Sequence, residues 1–204
     1  MKKFRLWEIA LLCGLVAAMM YAVSVQAEQA DIADKLIRLH IVANSDSEED
    51  QALKLLVRDE ILAYIGEYPS DATTADEEGA LLLSILPELE GEAERVLCEN
   101  GCDLPVRAEL VSASFPTKEY DSFSLPGGEY GALRLTIGEG GGQNWWCVLF
   151  PPLCTAVSTE EFDKAASSSG LSDSEIKLIK NNTSPKIKFK LLEFFDFLKN
   201  LFNF

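Results

Sequence analysis

The sequence predicts an α+β fold, a small and largely antiparallel sheet with helices packed on it, set behind an N-terminal signal peptide. Two patterns carry this expectation. A basic, then apolar, then small-residue N-terminus marks the signal peptide. After it, one strand-like run, two helical runs, three alternating runs and further helical sequence follow in that order, the pattern of a segregated α+β domain. The boundaries read as 1–27 for the signal peptide, 28–166 for the α+β domain, and 167–204 for a serine-rich connector with a C-terminal amphipathic helical segment.

At the N-terminus, Lys2, Lys3 and Arg5 precede an apolar run from Ile9 to Val23, and Val25-Gln26-Ala27 supplies small residues for cleavage after Ala27. The apolar run is shorter than the roughly 20 residues a spanning helix needs. Leu11 and Leu12 stand before Cys13 where lipidation would require small residues. Removing the leader takes away three basic residues and Glu8, moving the formal charge from −15 to −17. Such a chain is repelled by nucleic acid and by anionic membranes, and no basic stripe interleaved with aromatics offsets this. No nucleic-acid partner is expected.

Leu36–Ala43, LIRLHIVA, is rich in branched residues and reads as a buried strand. Ser45 and Glu48 are spaced as a capping box, with acids over the positive end of the helix that follows. From Gln51 to Ile65, the residues Leu53, Val57, Ile61 and Tyr64 recur at helical spacing. A second helical region spans about Ala75 to Asn100, is interrupted near Pro87, and stops at Gly101. Pro105–Phe115, Gly128–Gly138 and Asn144–Phe150 are strand candidates; Gly140-Gly141-Gly142 between the last two suggests a hairpin. The serine run 167–174 and Pro185 lead into LLEFFDFLKNLFNF, where Leu191, Phe194, Phe195, Leu198, Leu201 and Phe202 share one helical face. That helix either docks on the core or meets a membrane surface or a partner.

Four cysteines follow the leader: Cys98, Cys102, Cys147 and Cys154. An even number in an exported chain suggests disulfides, with three possible connectivities. Cys147 and Cys154 would lie about 23 Å apart in one extended strand, so pairing them requires a reversal, which Pro151 and Pro152 can provide. Closing that loop stabilises by about 2.5 kcal/mol in the chain-entropy model. Cys98 and Cys102 sit one helical turn apart and can pair locally or with the other two. Neither pair has zinc spacing on both sides, and the lone histidine is distant.

Catalytic patterns are thin. His40 has no GxSxG elbow to serve, and Cys147 and Cys154 are better used as a bridge than as nucleophiles. Asp46, Glu48 and Asp50 resemble the start of a calcium loop, but Glu49 occupies the required glycine position. The glycine loop lacks the Lys-Ser or Lys-Thr and the helix of a phosphate site. Glu129 and Glu139, near Trp145 and Trp146, imitate a glycosidase pair beside a sugar platform. No catalytic residue, cofactor or metal is therefore expected, and a binding or signalling protein is favoured. Its surface is expected at Trp145 to Cys154, with Trp145 and Trp146 as aromatic anchors; strand alternation turns one of the two inward.

Two segments, LIRLHIVANSDSEEDQALKLLVRDEIL (36–62) and FSLPGGEYGALRLTIGEGGGQNWWCVLFPPLC (123–154), together resemble the stage II sporulation protein R family of endospore-forming Gram-positive bacteria. They cover under a third of the chain. The resemblance implies a non-enzymatic signal secreted from the forespore into the space between the two membranes that separate it from the mother cell. There it would activate a membrane-embedded aspartic protease that cleaves the sigma-E precursor. The alternative is an exported carbohydrate-binding or cell-wall-active enzyme, suggested by the tryptophans and nearby acids.

Overall fold

The computed structural model describes residues 6–120, 122–154 and 158–180. The chain opens with helix α1 (Leu6–Asp34) and enters strand β1 (Ile37–Val42). Helices α2 (Glu48–Glu67), α3 (Ala75–Ser84) and α4 (Leu86–Glu99) follow, then the long strand β2 (Val106–Phe115). A two-stranded flap, β3 (Lys118–Glu119) and β4 (Ser124–Leu125), leads into β5 (Gly128–Ile137) and β6 (Asn144–Phe150). Helices α5 (Thr159–Ser168) and α6 (Asp173–Lys180) close the described chain. The C-terminal apolar face at 191–202 lies outside the described residues.

The fold is α+β with a mixed four-stranded sheet in the order β2-β5-β1-β6. β2 with β5 and β1 with β6 are antiparallel, while β1 and β5 are parallel. β5 and β6 are therefore not the hairpin that the intervening glycines suggest, because β1 lies between them. The connection 138–143 has to cross the end of β1, and it does so in backbone contact: Gly141 N–H donates to Asn44 O at 3.0 Å and Gly142 N–H to Ala43 O at 2.9 Å. A Cβ on Gly142 would collide with the Ser45 carbonyl, and Gly140 has φ +64° with Thr136 beside it. The glycines serve this crossing. Buried Lys54 secures it to α2 through Nζ to Gln143 O at 3.0 Å.

Alternation along the strands builds two cores. Ile37, Leu39 and Ile41 join Leu133, Leu135, Cys147 and Leu149 under α2, α3 and α4, which contribute Leu53, Val57, Ile61, Leu82, Leu89 and Leu97. On the other face, Ala132, Val148 and Tyr130 pack with Phe123 and Leu125 of the flap, Phe162 and Ala166 of α5, Ile176 and Ile179 of α6, and Ile32 and Leu36 at the end of α1. Helices thus cover both faces. The serine run bends between α5 and α6, and Leu171 within it is buried.

Helix termini follow their capping chemistry, with one shift. α2 starts two residues beyond the Ser45 expected as its cap: Ser47 is the N-cap, its hydroxyl accepting from Asp50 N–H at 3.1 Å, and Ser45 instead donates to the Asp50 carboxylate. At the end of α4, Gly101 takes φ +77°, Cys102 N–H reaches Leu97 O and Gly101 N–H reaches Cys98 O, both at 3.0 Å. This Schellman arrangement turns Cys102 toward the core and leaves Cys98 exposed. The local pairing that their spacing allows is accordingly not formed, and both are free thiols.

Along α1, the described apolar side chains of residues 9–21 and Val23 are exposed; Leu11 is 65% and Met20 70% accessible. Packing begins near the helix end, where Gln29 donates to Gly127 O and Ile32 and Ala33 are buried. Among the described residues, no helix is long and apolar enough to cross a membrane.

Candidate functional site

The two tryptophans occupy opposite faces of β6. Trp145, opposite Ile41, packs on the core beneath α2, with the Arg58 guanidinium 5.2 Å from its ring centre. Trp146, opposite His40, lies on the other face and is half-buried. A cross-strand row therefore runs Glu109, Arg134, His40, Trp146 over four strands. At its edge the Lys118 ammonium stands 5.7 Å from the Trp146 ring, and Phe115 meets both Trp146 and His40 edge-on at 6.4 and 5.9 Å.

Beneath this row lies Arg38, fully buried. Its guanidinium stacks 4.1 Å from the Phe115 ring and 5.1 Å from Tyr130, and Nη2 donates to Tyr120 Oη at 2.7 Å. Tyr120 in turn donates to Trp146 O at 3.4 Å, so one hydroxyl of the flap ties Arg38 to the tryptophan strand. Among the described residues, Nε and Nη1 of Arg38 have no hydrogen-bond partner, nor does Nδ1 of His40. His40 Nε2 lies 2.7 Å from Asn144 Oδ1. Burial pushes the His40 pKa below its usual value and the guanidiniums of Arg134 and Arg38 add to the shift, against the Asn144 bond. The imidazole is therefore neutral near pH 7. Glu109, the acid of the row, is taken by Arg134 through Nε and Nη2 at 2.9 and 2.7 Å. On a chain of net charge −15, this is a locally basic and aromatic surface.

The surface has a covalent anchor. Cys147 and Cys154 form a disulfide with their α-carbons 6.1 Å apart. The reversal that permits it runs through Phe150-Pro151-Pro152, where the Phe150–Pro151 peptide is cis and Leu153 N–H donates to Pro151 O at 2.7 Å. Val148 N–H then donates to Cys154 Sγ at 3.0 Å, laying the turn along β6. Trp146 immediately precedes the bridged cysteine.

The other candidates separate. Cys147 opposes Leu39 on the helical face and is oxidised, so no thiolate faces His40. Glu129 and Glu139 stand at opposite ends of β5, which at roughly 3.3 Å per residue puts them more than about 20 Å apart, beyond any glycosidase spacing. Asp50 serves Ser45, Asn44 and the α2 cap. Among the described residues no group of three His, Cys, Asp or Glu side chains is placed to hold a metal. Sequence patterns singled out Trp146, Cys147, Cys154 and His40. They missed Arg38, Phe115, Lys118, Tyr120 and Arg134; the one available signal was the pair of polar residues two positions apart in an otherwise apolar strand, Arg38 and His40 in IRLHIV.

Comparison with known proteins gives a consistent result. The family described as stage II sporulation protein R matches residues 33–160. Stage II sporulation protein R of Bacillus subtilis (strain 168) is 42% identical over 143 residues, which is 67% of this chain and 63% of that protein. The match thus spans just under two thirds of the relative's length. No solved structure matches. The matched region contains the whole sheet, the flap and the disulfide, and the chain belongs to the stage II sporulation protein R family of sporulation proteins.

Proposed function

We propose that the protein is a secreted sporulation signal that activates the membrane-embedded aspartic protease of the mother cell, the step that processes the sigma-E precursor. The signal acts as a ligand in the space between forespore and mother-cell membranes. Export is supported by the basic and apolar N-terminus, whose exposed side chains such as Leu11, Met20 and Val23 contrast with packing that begins at Gln29, two residues beyond the expected cleavage point. The observation that carries the ligand reading is Trp146, held half-exposed among Lys118, His40 and Phe115 and pinned by the adjacent disulfide. A rigid aromatic anchor with a cationic neighbour, Lys118, loses little entropy on docking, and such anchors dominate interface energies. Activation follows if the surface binds the active conformer of the protease more tightly than the inactive one.

The test is to coexpress the protease and its precursor substrate with the secreted domain and with Trp145→Ala or Trp146→Ala. Trp145→Ala is expected to lower the amount of folded protein, because it removes a core ring. Trp146→Ala is expected to be secreted normally while precursor cleavage falls at least tenfold. Cleavage that proceeds without the domain rejects the activator role; equal loss of folded protein in both variants rejects Trp146 as the contact.

A further inference from the structure

An open sheet has two edges, and each edge strand presents unpaired N–H and C=O groups that invite another strand unless something occupies them. On β6, Trp146 O accepts from Tyr120 and Val148 N–H is taken by Cys154 Sγ, so that edge is occupied by the flap and the disulfide turn. On β2 the first half is occupied as well: Val106 N–H donates to Glu94 Oε1 at 3.0 Å and Ala108 N–H to Glu90 Oε1 at 2.8 Å, two carboxylates reaching over from α4. In an antiparallel pair, alternate residues point their backbone groups to the same side. Leu110, Ser112 and Ser114 therefore continue the outward row begun by Val106 and Ala108, and among the described residues none of their N–H groups has a hydrogen-bond acceptor. Ser112 and Ser114 are exposed.

Beside this open half lies a groove of about 520 Å³ that takes in Leu110 and Ser112. Its apolar wall includes Leu36 and Leu83 of α3, the latter 54% accessible. Asp34, Asp76 and Glu129 also line it, and no lysine or arginine does.

We propose that the Leu110–Ser114 edge accepts an extended segment of a partner protein as a fifth strand, one bearing an apolar side chain for the groove and lysine or arginine beside it for the three carboxylates. Backbone pairing supplies the register and the groove supplies the selectivity, as in other strand-addition interfaces. A second copy of this chain is disfavoured as the occupant, because pairing two such edges brings acidic grooves together on chains that each carry −15. The site is separate from the Trp146 surface, and its failure leaves that reading intact.

The test uses the full-length chain and fluorescein-labelled octapeptides of alternating valine and lysine or valine and glutamate, read by fluorescence anisotropy. The lysine peptide is expected to bind at least tenfold more tightly than the glutamate peptide. Ser112→Pro, which removes an outward N–H while leaving the β5 pairing, weakens it at least tenfold, and so does Leu83→Glu. Because Leu83 is exposed on a helix, its variant reports binding even if Ser112→Pro folds poorly. Equal binding of both peptides, undiminished binding to a folded Ser112→Pro or to Leu83→Glu, or Ser112-dependent self-association in sedimentation would overturn the proposal.

Discussion

Arg38 is a fully buried guanidinium with no carboxylate partner among the described residues. Each unsatisfied buried donor costs about 1–3 kcal/mol, while a desolvated cation–π contact returns about 2 kcal/mol. With Nε and Nη1 both unpartnered among the described residues, the cost is of the same order as the return from Phe115, Tyr130 and the Tyr120 hydrogen bond, so Arg38→Met, similar in length and apolar, is expected to leave urea stability within about 1 kcal/mol. The same variant should lower precursor processing, since it removes a charge from beneath the Trp146 surface. A loss of more than about 1 kcal/mol would instead make the guanidinium a structural element in its own right. His40 gives a second prediction at this scale. Its folded pKa lies below the unfolded value of about 6.5, so the unfolded chain binds the proton more readily and stability falls as pH drops from about 6.5 through the folded pKa. Asp50 and Glu175 are held low instead and lose their contributions only at more acid pH. Urea midpoints between pH 7.5 and 5 should thus decline for the parent chain and stay flatter for His40→Gln.

Among the elements, those that local periodicity dictates were legible in the sequence, and the order in which they assemble was not. Leu53, Val57 and Ile61 recur at helical spacing and are all buried, Gly101 ends α4, and the alternation of β1 separates its two faces. Alternation likewise required Trp145 and Trp146 to part, though it did not say which would meet the helices. Strand order failed because a glycine loop between two strands is equally compatible with a hairpin and with a step over a third strand; the choice is made by backbone contacts to Asn44 and Ala43, about a hundred residues away in sequence. The step is what makes Gly142 indispensable. Gly142→Ala forces a Cβ into the Ser45 carbonyl and is expected to cost about 2–3 kcal/mol. Gly91→Ala is the matched control: in the interior of α4 with nothing near its added Cβ, it should gain about 0.5–1 kcal/mol. Equal effects at the two positions would show that the crossing loop relaxes to admit a side chain.

For the whole molecule, the second sheet face is covered by segments from both ends of the described chain. Ile32 and Leu36 near the end of α1 meet Ile176 and Ile179 of α6 in one core, and Lys35 bridges to the nearly buried Glu175 at 2.8 Å. Burial opposes ionisation of Glu175, yet Lys35 and the Ser172 donors outweigh it and hold its pKa well below the usual carboxylate range. The segment from Gln29 to Leu36 therefore belongs to the folded unit even though it is continuous in one helix with the exposed apolar run before it. This sets a sharp boundary for truncation. Among the described residues, the side chains of 8–27 belong to neither core cluster, so removing residues 1–27 should leave the urea midpoint of the remaining chain unchanged. Removing 1–36 strips Ile32, Ala33 and Leu36 from the core and breaks the Lys35–Glu175 bridge. Loss of a single buried Ile or Leu side chain costs about 2–5 kcal/mol, and a domain of this size has only about 5–15 kcal/mol of net stability, so the shorter fragment is expected to be largely unfolded by circular dichroism. A cooperative transition retained in the 37–204 fragment would mean that the sheet and α2–α4 suffice, and that the second face is an accessory layer.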